Sequence, residues 1–471
     1  MSIKRTDEFL SSLGPPVYRV GGSVRDELLG KRPKDADYVI FDVPLGDVRS
    51  LLGQHRGGKL KLRDGQHVGY RIKAPYDAEL VLPRKERSTG PRHDDFEIVV
   101  DPHLTLEEDA IRRDFTFNAL YKSVVTGEVI DPTKAGLWAL QHRIVQITHP
   151  DSFRDDPLRI LRALRFVAQG YDLSERTAYM LRQHSDAITG LTANGFVSGT
   201  VFTEMSRILM GPDNVKALRI ARDTGVLAVL FPELKEMLGF DQGSRYHDLT
   251  TDEHTFKALE AAAHVDAPLN VRWALLFHDS GKPAVQWIGS DGRSHYYQRK
   301  GNQVNSEGET GYLNEDHEVV GARLWDRAAD RMNIDKDTKR HVGILIAEHM
   351  LTPKKAFDVQ VRRMRVKFGD RLVQDLIMHR MLDSIGKEKG VDRKMLKNLA
   401  GMEAARAAAQ QSGVPAKVSD LGINGNDMMS LGAEGKQVGE ILRAVLDEVV
   451  VRGDDVALTS AWQFQRAKSY I

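Results

Sequence analysis

Cysteine is absent from the 471 residues of this chain, which excludes disulfides, cysteine-ligated zinc and thiol nucleophiles together. That composition fits a reducing cytoplasm. Long apolar runs are missing as well. No stretch reaches the roughly 18 apolar residues of a membrane span, and the opening MSIKRTDEFLSS has no long apolar core behind its basic residues. A soluble, intracellular, cytoplasmic protein with no membrane partner is expected. Nor is there a surplus of one charge: Lys+Arg 67 against Asp+Glu 66 leaves a formal net charge of +1, so any nucleic-acid contact must come from local patches. Internal repeats and low-complexity tracts are also lacking. The length predicts about three domains at roughly 150 residues each, with ample material for buried cores.

The densest chemistry lies in Tyr18–Phe41, YRVGGSVRDELLGKRPKDADYVIF. Val17–Val20 reads as a short strand ending in Gly21-Gly22, and the next residues are helix-compatible until Gly30 and Pro33. The glycine pair lets backbone N–H groups approach a phosphate, with the helix N-terminus aimed at it. Tyr38–Phe41 reads as a second strand, and the period of two puts Asp35 and Asp37 at its start on one face. Two hard carboxylates at a strand edge suit Mg²⁺, which accepts substrate phosphates among its ligands. Each motif alone has bland explanations, because Gly-Gly before a helix and Asp-x-Asp are common.

GGSVRD followed by KDADYVIF resembles the signature of the class II nucleotidyltransferases, the family of bacterial CCA-adding enzymes and poly(A) polymerases. Further strands are predicted at Leu60–Leu62, Val68–Ile72 and Ala78–Leu82, the last carrying Glu79 among apolar neighbours. An acid there needs a partner or a task. A salt bridge to Arg84 or Arg71 would satisfy it; the resemblance implies instead a third catalytic carboxylate beside Asp35 and Asp37. The charged, glycine-bearing PRKERSTGPRHDDFE that follows is expected to be a mobile loop.

Two later segments resemble the same family. RRDFTFNAL holds Arg113, Asp114 and Asn118. Alone, RRD reads as a surface charge cluster at a helix start, although arginine forks suit phosphates and a carboxylate accepts from a ribose hydroxyl. The resemblance implies triphosphate contact by Arg113 and selection of the ribose 2′-OH by Asp114, with Asn118 one helical turn on and sharing the site.

In SFRDDPLRILRALRF, Asp156 precedes Pro157 and can cap a helix, while Arg159, Arg162 and Arg165 fall on an arc apart from Leu161, Leu164 and Ala168. That basic face is either solvated or turned toward nucleotide or RNA. The segment resembles the family's base-recognition motif, which assigns base reading to Asp156 and Arg159, with Arg162 and Arg165 lining the pocket. Arginine donates to cytosine N3 or adenine N1 and aspartate accepts from either exocyclic amine, whereas uracil and guanine reverse both patterns. Asp155 stands where the family usually has Glu.

A second cluster of chemistry-bearing residues runs from His254 through His278-Asp279, His317 and His349 to Asp383. Imidazoles and carboxylates on mostly helical segments suit a divalent transition metal that activates water against a phosphate ester. The helix VRWALLFHDSGKP is expected to be interrupted by His278-Asp279. The ordered series resembles an HD phosphohydrolase domain, which implies His254, His278, Asp279 and Asp383 as primary ligands, with His317 and His349 completing a second metal position.

The resemblance implies an α+β chain: a mixed-sheet nucleotidyltransferase head with a polymerase-β-like palm (1–150), a helical neck (151–240), an HD domain (241–392) and a helical RNA-binding body and tail (393–471). Gly413-Val414-Pro415 reads as a linker within the last, and its glycine-bearing turn either grips an RNA backbone or simply packs. The implied reaction adds CCA to the tRNA 3′ end from CTP and ATP. Gly22, Arg25 and Arg113 would bind the triphosphate, with Gly21 beside them, and Mg²⁺ would sit on the head carboxylates. The same head motifs also fit a poly(A) polymerase or a partial CC- or A-adding enzyme, and an HD phosphohydrolase with an RNA-binding head is an alternative of another class.

Overall fold

The computed structural model describes residues 3–33, 35–61, 66–88, 96–191, 199–243, 249–288, 292, 294–296, 304–305, 316–353, 357–387 and 392–471. They form two compact units, Met1–Pro232 with Arg331–Asn333, and Glu233–Asp330 with Ile334–Ile471. The architecture is α+β, with a mixed sheet in the first unit and a largely helical second unit.

The first unit opens with α1 (Ile3–Ser11), β1 (Val17–Val20), α2 (Gly22–Leu28), β2 (Asp37–Ile40) and α3 (Leu45–Leu52). Next come β3 (Arg56–Lys61), β4 (His67–Ile72), β5 (Ala78–Val81), β6 (Arg84–Ser88), β7 (Phe96–Val100), α4 (Leu106–Ile111), β8 (Tyr121–Ser123) and β9 (Val129–Ile130). Seven strands form one sheet in the order β3-β4-β5-β2-β1-β8-β9. All pairs are antiparallel except β2 with β5, whose register sets Asp37 opposite Glu79. The central strands are covered on both faces, which is why Tyr38-Val39-Ile40 is apolar without interruption. Val17, Tyr38, Ile40, Ile72 and Leu80 pack with Leu10 of α1 and Val48 of α3, while Val20, Val39, Phe41 and Tyr121 form the other layer.

The segment expected to be a loop after β5 is a two-stranded ribbon at both ends, with Lys85 opposite Val99. Its charged residues misled because the strands pair through the backbone while a charged side chain such as Lys85 stays exposed and pairs with Glu108. The tip, 89–95, lies outside the described residues.

The unit continues through α5 (Gly136–Gln141), α6 (Ser152–Asp155), α7 (Leu158–Ala168), α8 (Glu175–Gln183), α9 (Gly199–Leu209), α10 (Asn214–Asp223) and α11 (Val226–Leu230). Ile160, Leu161, Ala163, Leu164, Val167 and Ala168 of α7 are all buried, so it is the axis of this helical part.

The second unit comprises α12 (Thr251–His264), α13 (Leu269–Phe277), α14 (Lys282–Val285), α15 (His317–Arg331), α16 (Lys336–Ala347), α17 (Phe357–Phe368) and α18 (Asp370–Ile385). After these come α19 (Arg393–Gln411), α20 (Gly425–Ser430), α21 (Lys436–Arg452) and α22 (Ser460–Lys468). Trp273, Phe277 and Trp325 centre one core, and Val445, Leu446, Val449 and Val450 of α21 anchor another. Val414, in the expected linker, is buried, and its carbonyl accepts from Arg365 at 3.2 Å, so this stretch is packed and not free. Helix α13 ends at Phe277, with His278 as its C-cap, and Pro283 lies at the start of a new helix; His278-Asp279 therefore occupies the break between two helices. Among the described residues no helix is long and apolar enough to cross a membrane.

Candidate functional site

The first site gathers on one face of the sheet. Asp37 and Glu79 are register partners across β2 and β5, and Asp35 lies two residues before Asp37. The Asp37 carboxyl is raised from its ordinary value by the atoms packed around it, then by the negative charges of Glu79 and Asp35, while Arg113 opposes the shift. Three acids thus sit close enough to repel one another, the electrostatic condition that a divalent cation relieves. Glu79 also has the alternative partner expected for it: Arg71 Nη2 donates to its Oε1 at 2.7 Å, in an exposed pair.

Gly21 turns the chain between β1 and α2 at φ +71°, a conformation that favours glycine, and a Cβ there would lie 3.7 Å from Arg113 Nη1. Arg113 lies just past the C-terminal end of α4, with Arg112 as the helix cap, so the arginine pair closes a helix where a helix start was expected. The pair is anchored by Asp109, a wholly buried carboxylate to which the sequence reading gave no role. Its signal was present, because Thr105 and Glu108 form a capping box and Asp109 stands four residues before Arg113.

Asp114, also buried, accepts from Arg162 Nε at 2.8 Å and Nη2 at 2.5 Å, and from Asn118 Nδ2 at 2.9 Å. Asn118 Oδ1 in turn accepts from Arg25 Nη1 at 2.7 Å. A continuous relay, Arg25 to Asn118 to Asp114 to Arg162, ties α2 to α7. Burial alone would raise the Asp114 carboxyl, but Arg162 and Asn118 outweigh it and hold it below the usual range.

The arginines of α7 are not an open basic face. Arg159 is only 5% exposed and donates to Ser152 Oγ at 2.9 Å and to the Arg112 carbonyl at 2.5 Å. Arg165 donates to buried Glu204 at 3.0 Å, and burial lowers its pKa to about 10. A spacing of three on a helix buried nearly all round turns the arginines inward, and each found a partner as buried charges must. Asp156 divides its oxygens. Oδ1 accepts from Leu158 N at 3.0 Å, the capping bond expected before Pro157, and Oδ2 lies 3.9 Å from Arg159 Nε. Asp155 lies 3.0 Å from His149 Nε2.

The second site brings all six expected residues together, and all are buried. His254, His278 and Asp383 present ligand atoms within 4.8 Å of one another, and so do Asp279, His317 and His349. Asp279 links the two sets: its Oδ2 lies 3.2 Å from His278 and 3.6 Å from His254, its Oδ1 3.6 Å from His317 and 3.8 Å from His349. The backbone sets the imidazole orientation, since Nδ1 of His278, His317 and His349 lies 2.7, 2.9 and 2.7 Å from carbonyls of Leu275, Tyr296 and Ile346. Donation from Nδ1 leaves each Nε2 facing inward, the arrangement that orients histidines as metal ligands. Nε2 of His317 and His349 stand 3.2 Å apart, a repulsive contact for two lone pairs unless a cation or proton lies between.

Burial disfavours a charged His278, yet Asp279 and then Asp383 overcome that and raise it to about 10. Burial lowers His317 to about 4 and also lowers His349, keeping both neutral. Lys282 Nζ donates to Asp279 at 2.7 Å and Arg380 pairs with Asp383. His379, one turn before Asp383 on α18, is fully buried with its ring 5.5 Å from that of His278, and was not singled out from the sequence. A cavity of about 330 Å³ opens beside the cluster, lined by Lys282, Tyr296, His317, His349 and Arg380 among others.

Comparison with known proteins bears on the fold and the family. Residues 17–146 match the family described as "Poly A polymerase head domain", and residues 200–238 match "Probable RNA and SrmB- binding site of polymerase A". A "Multifunctional CCA protein" of Cupriavidus necator is 34% identical over 290 residues, 59% of this chain and 68% of that protein. One from Xanthomonas campestris is 29% identical over 447 residues, 90% of this chain and 96% of that protein. Against several other relatives of the same description the match spans less than two-thirds of their length, at 65%, 61% and 64%. The Bacillus stearothermophilus CCA-adding enzyme in complex with CTP shares the fold, with a TM-score of 0.61 at 22% identity over 99% of this chain and 97% of that one. With its head motifs gathered on one sheet face and relatives of this kind, the chain belongs to the multifunctional CCA protein family of nucleotidyltransferases.

Proposed function

We propose that the chain adds CCA to the 3′ end of tRNA from CTP and ATP, in the cytoplasm and without a nucleic-acid template. The observation that carries this reading is the parallel β2–β5 register, which sets Asp37 against Glu79 with Asp35 and Arg113 acting on the same point. Asp35, Asp37 and Glu79 would hold Mg²⁺, which supplies activation of the RNA 3′-hydroxyl and charge neutralisation at the pyrophosphate. Gly21, Gly22, Arg25 and Arg113 bind the triphosphate. Asp114 and Asn118 select the ribose. Asp156 and Arg159 read the base, with Arg162 and Arg165 behind them; a base reaches Arg159 only when the side chain releases Ser152. Residues 1–150 act as head, 151–240 as neck and 393–471 as the body and tail that hold RNA.

The donor set of residues 241–392 favours an accessory phosphohydrolase of the HD type. Asp279 would be shared between two divalent ions, with His254, His278 and Asp383 on one and His317 and His349 on the other, supplying an activated water. Against burial, His278 and then Lys282 hold Asp279 below the usual carboxylate range, and His254 and His278, ahead of Arg380, do the same for Asp383.

Each labelled nucleotide is offered separately to tRNAs ending before CCA, after C and after CC. Incorporation confined to C, C and then A is expected. Long A tails on unrelated RNA would reassign the chain to poly(A) synthesis.

A further inference from the structure

Arg113 has a long side chain, and it can serve a triphosphate only if its fork is held in one orientation. The holder is Asp109. Its Oδ1 accepts from Arg112 Nε at 2.7 Å and from the Arg84 backbone N–H at 3.3 Å. Its Oδ2 accepts from Tyr121 OH at 2.6 Å and from Arg113 Nη2 at 3.2 Å. A carboxylate has about four lone-pair directions, and these donors occupy them inside a site with no solvent access. Asp109 therefore has nothing left to offer a substrate.

Tyr121 completes the clamp. Arg113 Nε donates to the Tyr121 hydroxyl at 3.1 Å, and its guanidinium lies 5.1 Å from the Tyr121 ring centroid. With Nε and Nη2 committed, Nη1 is the nitrogen turned to the Gly21 turn. The charge also matters, because Arg113 acts on Asp37 and opposes the rise of its carboxyl.

We propose that Asp109, acting through Tyr121 and Arg113, is a positioning residue for nucleotide binding, fixing the Arg113 fork so that Nη1 meets the triphosphate at the Gly21 turn. This rests on the nucleotidyl-transfer reading of the head. Because the fork grips phosphate and not base, CTP and ATP should depend on it equally.

The test measures KM and kcat for CTP and ATP separately on the full chain with tRNA, for Arg113→Ala, Asp109→Asn and Tyr121→Phe, with thermal unfolding followed in parallel. Asp109→Asn places amide donors against Arg113 and Tyr121, and losing such charge-assisted bonds should raise KM for both nucleotides about 10-fold, with kcat changed less. Tyr121→Phe keeps the ring and should raise both KM values by about threefold. Should Asp109→Asn fail to fold, Tyr121→Phe decides alone. A rise in KM with Arg113→Ala but none in the folded Asp109 and Tyr121 variants overturns the positioning role. If Arg113→Ala itself leaves KM unchanged, the nucleotide-binding reading of Arg113 is what fails.

Discussion

The two sites treat charge in opposite ways. In the head, Asp35 and Asp37 are exposed and Glu79 keeps 42% of its side chain in solvent, while Asp109 and Asp114 are buried and paired with half-buried arginines. In the helical unit every candidate ligand is buried, and each carboxylate already has a cation beside it. Acids left in water suit a metal that arrives with its substrate and leaves with pyrophosphate, since Mg²⁺ retains waters and substrate oxygens. A buried cluster of imidazoles and carboxylates suits a transition metal.

The largest effect should come from the exposed acids. Asp35→Ala with Asp37→Ala is expected to lower nucleotide incorporation by about 10³-fold or more, with phosphatase activity within twofold by about the scatter of independent sites. Retained incorporation would remove the metal assignment. Asp279→Asn should lower divalent-metal phosphatase activity by about 100-fold and reduce bound metal measured by elemental mass spectrometry, leaving CCA addition intact. Loss of both activities would erase the distinction between the sites. Arg162→Ala strands the buried Asp114 carboxylate and should cost about 1–3 kcal/mol in chemical denaturation, while weakening ribose over deoxyribose discrimination in competition assays.

Acid sharpens the comparison further. Asp114 in the folded chain lies below its ordinary value. Its stabilising contribution is therefore complete above the unfolded value of about 3.9 and is lost as pH falls through the folded one. The stability difference between the native chain and Asp114→Asn should stay flat from about pH 8 to 5 and narrow below about pH 4. A gap that opened in acid would contradict the pairing. The smallest effect belongs to the exposed Arg71–Glu79 bridge, where Arg71→Ala should leave the chemical-denaturation midpoint indistinguishable from that of the native chain.

The head was legible because GGSVRD, the following strand and RRDFTFNAL are local patterns whose side chains converge as spaced. The six residues of the second site were equally visible as residue types, although Asp279 reaching both groups depends on a break between two helices. What the sequence hid were choices among partners. Glu79 had two arginines available and took Arg71. The α7 arginines read as a face, but a helix buried nearly all round leaves no solvated side, and Arg159 turned to Ser152. Asp109 went unnoticed beside Glu107 and Glu108, since only packing tells which acid of a run faces inward.

The parallel neighbours β2 and β5 are separated in the chain by α3, β3 and β4, yet their ladder sets Asp37 directly opposite Glu79. Within that excursion β4 is itself the partner of β5 and Val48 of α3 packs against the sheet, so only the turns that join these elements are free to lengthen or shorten. A slip of one residue in β5 is another matter: it would send Glu79 to the opposite face and bring an apolar neighbour in its place. The head can accept remodelling of its periphery, but not a frameshift of that one ladder.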